Sequence, residues 1–142
     1  MPVVVKRAYE KPSRSDGLRV LVDRLWPRGI SKARAKVDHW LKELAPSTEL
    51  RKWFHSSDNW AVFKKRYFQE LSTPDAAADL EQLYQFQNEF PVVTLVYSSR
   101  NDHHNNAVAL KELLEGMRKP PSSSGPAKAA AVSGRIAKRR QK

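Results

Sequence analysis

Apolar positions follow two rhythms along the chain, and each predicts a different kind of element. The central feature is the run 92–97, VVTLVY, apolar throughout except for Thr94. A stretch with no polar face suits a strand covered on both sides, as in a parallel sheet packed by helices. Residues 18–23, LRVLVD, predict a second strand centred on Val20, Leu21 and Val22. Residues 2–9 predict another, with Val3 and Val5 facing one way and Val4 the other. The Pro, Ser, Asp and Gly of 10–17 mark a loop between these two strands.

Elsewhere the spacing is helical. Ser31 is placed to cap a helix to about Leu44, with Val37, Trp40, Leu41 and Leu44 on its buried stripe. After Ala45 and Pro46, Ser47 caps a short helix that turns Leu50, Trp53 and Phe54 inward. A polar connection at 55–59 leads to Trp60, Phe63, Tyr67 and Leu71, again at helical spacing. Thr73, Pro74 and Asp75 supply a cap, a first-position proline and a first-turn acid for a helix that buries Leu80, Leu83 and Tyr84 and stops at Phe90 and Pro91. A last helix starts near Asn105, with Leu110, Leu113, Leu114 and Met117 on one side.

The order is strand, strand, several helices, strand, helix. Roughly seventy residues separate the second strand from the third, a length at which parallel pairing is expected. The expected fold class is therefore α/β: a small, mainly parallel three-stranded sheet packed by five or so helices. Parallel pairing sends both carboxyl ends to one edge, so Asp23, Arg24 and Arg28 should face residues 97–106 across a crevice. Such an edge is where open α/β proteins hold ligands.

Composition narrows the chemistry. The 142 residues suffice for one domain, assigned here to 1–118. With no cysteine, disulfides, thiolate catalysis and cysteine-ligated metals are excluded. Three valines before the first charge fall short of a signal peptide, and no apolar run reaches transmembrane length. A soluble, cytoplasmic protein is expected, with no membrane partner. The net charge of +11 is uneven: 119–142 hold seven Lys or Arg and no acid, which leaves +4 on residues 1–118. That segment, rich in Pro, Ser, Ala and Lys, reads as a disordered basic tail. Lys138, Arg139 and Arg140 could touch nucleic acid, although a solvated extension explains them as well.

The polar residues near the predicted strand tips are the candidate site. Asp23 could act as a base or position a hydroxyl, and it could equally lock its loop through an ion pair. Arg24 and Arg28 have the forked geometry that suits a phosphate or carboxylate. Trp26 is counted as a ligand contact, although a Trp beside a proline more often plugs the top of a core. Tyr97 and Ser98 would bring hydroxyls to the third strand's end. Asp102 or Asn105 could cap the last helix, and Asn105 could join the helix dipole in an anion cradle with Arg100 nearby. His103 and His104 beside Asp102 lack the spacing of a zinc site. No metal and no cofactor is expected. Nucleophile-elbow, Walker and dinucleotide motifs are absent.

Three segments, GLRVLVDRLWPRGISK (17–32), LKELAPSTELRKWF (41–54) and VTLVYSSRNDHHNNAVALKE (93–112), resemble the YeaO-like family, domain of unknown function 488. The resemblance covers about residues 3–116. It implies a small α/β protein of the bacterial cytoplasm and transfers no reaction. It also implies a shared set of polar positions: Asp23, Arg24, Trp26, Pro27, Arg28, Lys42, Pro46, Ser47, Arg51, Tyr97 and Asn105. More distant relatives carry cysteines near the third strand, and their absence here rules out carrying over any thiol chemistry.

Together these readings give two expectations. The first is an anionic small molecule or nucleotide bound by Arg24, Trp26, Arg28, Ser47, Arg51, Ser98 and Asn105, with Asp23 or Tyr97 handling protons in a hydrolase or transferase. The second is a non-catalytic nucleic-acid accessory protein that uses the tail together with Lys64, Lys65 and Arg66.

Overall fold

The computed structural model describes residues 3–116. The basic tail, with Lys138, Arg139 and Arg140, and Met117 lie outside the described residues. Four strands form one parallel sheet: β1 (Val3–Arg7), β2 (Leu18–Leu21), β3 (His39–Trp40) and β4 (Val93–Tyr97), in the spatial order β1-β4-β2-β3. Five α-helices accompany them: α1 (Lys32–Ala35), α2 (Thr48–Ser57), α3 (Trp60–Glu70), α4 (Pro74–Glu89) and α5 (Asn106–Glu115). Among the described residues no helix is long and apolar enough to cross a membrane.

The expected parallel pairing holds, and β4 lies in the middle. Val3 through Arg7 pair with Val93 through Tyr97, and Leu18 through Leu21 pair with Val93 through Val96. Alternation along each strand then sorts side chains between two faces. Val3, Leu18, Val20, Val22, Val93, Leu95 and Tyr97 share one core with Leu50, Phe63, Tyr67, Leu80, Leu83, Leu110 and Leu114 from α2 to α5. Each fully buried Leu or Val there contributes about 1.5–3 kcal/mol.

The other face is covered differently. Leu21 and Val96 form a small cluster with Ala8, against which Trp26, Ile30, Val37 and Trp40 pack. All of that covering comes from the loops on either side of the one-turn α1 and from the short β3. Beside it Asp16, at the end of a 3-10 turn, is buried against two cations. Arg19 donates to it from Nη1 at 2.7 Å, and Lys6 from Nζ at 3.1 Å. Arg19 Nε donates to the Ala35 carbonyl, and the Thr94 hydroxyl donates to the Asp16 carbonyl at 2.6 Å. The remaining Arg19 Nη nitrogen is a buried donor without a partner among the described residues.

Two expectations need correction. The helix predicted from Ser31 to about Leu44 is a single turn, and the sheet has four strands where three were expected. Ser31 does cap it, accepting from the Arg34 N–H. Lys36 then turns left-handed at φ 50°, which ends a right-handed helix. The chain drops beside β2, where the Asp38 N–H donates to the Arg19 carbonyl and the Leu41 N–H to that of Leu21. Val37, Trp40, Leu41 and Leu44 are each at least half-buried, but on different elements: Val37 and Trp40 on the loop-covered face, Leu41 and Leu44 on the helical one. Helical spacing therefore arose without a helix.

This packing generates two predictions. Gly17 has φ +63° and ψ −133°, and a Cβ built on it would lie 2.2 Å from the Val92 carbonyl oxygen. Gly17→Ala should cost about 1–3 kcal/mol from backbone strain alone, with the clash adding to that. A urea midpoint equal to that of the parent would contradict this geometry. Asp16 is pulled upward by burial, but the Ser13 N–H, Lys6 and Arg19 outweigh that and hold its carboxyl below the ordinary 3.8. The stability it contributes is complete above that ordinary value and is lost as pH falls through the lower folded one. Asp16→Asn should therefore be less stable than the parent at neutral pH, and the gap should close in acid below pH 3.8. A gap unchanged by acid would refute the ion cluster.

Candidate functional site

Direct parallel pairing of β2 with β4 brings Asp23 next to Ser98. The Asp23 carboxylate ties three elements together. Its Oδ2 accepts from the Ser98 N–H at 2.8 Å and from the Ser98 hydroxyl at 2.7 Å. Its Oδ1 accepts from the Asn106 amide at 3.1 Å, and that amide also donates to the Val22 carbonyl at 2.8 Å. The Asp23 carbonyl accepts from the Trp40 indole at 2.7 Å. The tips of β2 and β4, the start of α5 and the edge strand β3 are thus fastened at one point.

From this point the chain runs out along the sheet edge. Arg24 and Arg28 are exposed, and Arg24 Nη2 donates to the Ala45 carbonyl at 3.3 Å. Trp26 is half-buried: its indole N–H donates to the Ile30 carbonyl at 2.6 Å and its ring meets Trp40 edge-on at 5.5 Å. It plugs the loop-covered face. Ser98 is spent on Asp23. Asn105 is buried as the α5 cap, with Oδ1 accepting from the Val108 N–H and Nδ2 donating to the Asn101 carbonyl. Its amide is therefore committed to the loop.

Tyr97 packs its ring into the helical core, with its hydroxyl 3.5 Å from Asp102. Burial, then the charges of Asp102 and Glu10, push its phenol above the usual value. It therefore stays a neutral phenol. Burial, together with Asp23 and Glu70, pushes Tyr67 up still further, and its hydroxyl donates to the Leu44 carbonyl.

Ser47 and Arg51 stand at the start of α2. Ser47 caps α2 by accepting from the Leu50 N–H, and it also binds Glu70 twice: its N–H donates to Oε1 at 2.8 Å and its hydroxyl to Oε2 at 2.6 Å. These two residues line an open groove of about 600 Å³ with Leu50 and Trp53, whose ring carries the Arg66 guanidinium at 4.3 Å. Arg51 is exposed one turn after Ser47. Lys64 is paired with Glu112 at 2.8 Å, so of the cationic trio Lys64, Lys65 and Arg66 only Lys65 has no such engagement among the described residues. His104 stacks on Trp60 with ring centroids 4.6 Å apart.

The sequence reading missed two anchors. Glu70 holds Ser47 from 23 residues away, and no spacing rule links them. Asn106 stands in the conspicuous polar run, yet it and not Asn105 reaches β2. A helix cap signal picks out Asn105, whereas nothing local distinguishes the side chain next to it.

The clamp predicts a structural role for Asp23. Asp23→Ala leaves the Ser98 and Asn106 donors without their acceptor and should cost about 2–4 kcal/mol, since hydrogen bonds to a charged group run about 1.5–3 kcal/mol each and do not add fully. Chemical denaturation measures it. A loss below about 0.5 kcal/mol, typical of a plain surface site, would show that the carboxylate fastens nothing.

Known proteins resemble the chain over most of its length. The chain is 41% identical over 118 residues to the uncharacterised protein YeaO of Escherichia coli (strain K12), covering 82% of this chain and 100% of that one. It is 42% identical over 115 residues to the uncharacterised protein Rv3073c of Mycobacterium tuberculosis (strain ATCC 25618 / H37Rv), covering 80% of this chain and 94% of the relative. No solved structure matches it. A family model described as the inactive DUF488-N3 subclade matches residues 2–130. The chain belongs to that family, as a YeaO-like member of the DUF488 proteins.

Proposed function

We propose that this protein binds an anionic ligand of phosphate or nucleotide type at the C-terminal edge of its sheet, and that it does so without turnover. The observation that carries the reading is the pairing of two exposed guanidinium groups, Arg24 and Arg28, with a loop rooted by the Asp23 clamp. A rooted loop presents both arginines from one place, and their planar forks match phosphate oxygens.

Absence of turnover is supported by how the proton-handling candidates are used. Asp23 accepts three hydrogen bonds that hold the fold. Tyr97 is kept a neutral phenol. A hydrolase or transferase would need one of them released to act as a base. The family description as an inactive subclade agrees. The proposed setting remains the bacterial cytoplasm.

The double variant Arg24→Ala, Arg28→Ala tests the reading. Calorimetric titration at low salt with phosphate, pyrophosphate and nucleoside phosphates should show binding by the parent and at least a tenfold loss in the variant. Stability should change by under about 1 kcal/mol, because both side chains are exposed and Arg24 makes only a long hydrogen bond to the Ala45 carbonyl. Failure of the parent to bind any of these anions, or unfolding of the variant, would overturn the proposal.

A further inference from the structure

Among the described residues Tyr9 is one of three large apolar side chains left exposed, at 46%, and it is held rigidly in that position. Its hydroxyl donates to the Arg28 carbonyl at 2.9 Å. The Arg7 guanidinium lies 4.7 Å from its ring centroid, and Arg7 Nε donates to the Ser99 carbonyl at 2.9 Å. Tyr9 therefore stands where the ends of β1 and β4 meet the loop that carries Arg24 and Arg28. Arg7 lies against its ring, Arg28 is joined to its hydroxyl, and exposed Arg100 comes directly after Ser99 in the chain. The acid closest in sequence, Glu10, accepts the Arg7 backbone N–H.

An exposed aromatic ring is normally left free to rotate or is buried on another surface. Here the hydroxyl is tied to the Arg28 carbonyl, on the loop of Arg24 and Arg28, and the Arg7 guanidinium lies 4.7 Å from the ring centroid. That combination suits a flat, π-faced group attached to a phosphate. Stacking on an aromatic side chain holds the flat group, a neighbouring guanidinium adds cation–π attraction, and forked arginines take the phosphate.

We infer that Tyr9 is a stacking platform for a nucleobase, and that the ligand is a nucleoside phosphate rather than a bare anion. The inference rests on the anion-binding reading and adds the identity of the group beside the phosphate.

AMP and ribose phosphate separate the two ideas, since both carry the sugar and phosphate and only one carries a base. Calorimetric titration of the full chain should show AMP binding about ten- to a hundredfold more tightly than ribose phosphate. Compared with Tyr9→Phe, which lacks the same hydroxyl bond to the Arg28 carbonyl, Tyr9→Leu should bind ribose phosphate equally well and should erase that preference. Tyr9→Phe, which keeps the ring and loses only the hydroxyl anchor, should retain most of it. Equal affinity of the parent for both ligands, or a preference that survives in Tyr9→Leu, overturns the stacking platform and leaves anion binding standing. If the parent binds neither, both readings fall together.

Discussion

The structure depends on one arrangement: β2 and β4 lie side by side and parallel, and the Asp23 carboxylate joins their tips. Parallel pairing alone would bring the two ends to one edge and leave the loops beyond them free to move. Three charge-assisted hydrogen bonds turn that adjacency into a rigid corner. They place the loop of Arg24 and Arg28, the start of α5 and the Trp40 strand in fixed relation. An acid set at the end of a strand commonly suggests catalysis. In this protein its lone pairs are used to hold the surroundings.

The same logic extends outward from the corner. Asn106 reaches β2 because Asn105 has already closed the first turn of α5. Ser47 both caps α2 and grips Glu70, so the start of one helix is tied to the end of another. Tyr67, fully buried, carries the Leu44 carbonyl that precedes this junction. The polar side chains at this edge mostly serve each other. Beyond them Arg24 and Arg28 project into solvent, alongside Leu25 and Asp102.

Much of this was legible in the chain. The unbroken run around Val93 to Tyr97 implied a strand covered on both sides, and the long helical insertion implied its parallel partner. Pro74 and the capping serines marked helix starts. The segment from Val37 to Leu44 was misleading because apolar positions spaced by three and four residues can also fall alternately on two faces of a sheet edge. Lys36, which stops the helix, belongs to a residue type that carries no left-handed signal. At the edge, residue types suggested where the polar groups gather, but their pairing depends on contacts such as Asp23 with Asn106, 83 residues apart. No local pattern encodes that distance.

The unequal covering of the two sheet faces has a further consequence. Four helices shield one side with interlocking hydrocarbon, whereas the opposite side is sealed by loops, a single helical turn and a cluster of three charges. Opening the first side means separating a large apolar surface. Opening the second uncovers a smaller apolar cluster and hydrates a few ions. The molecule should therefore loosen first on its loop side, in excursions that leave the helical layer intact, and amide hydrogens there will exchange with solvent by a route separate from global unfolding.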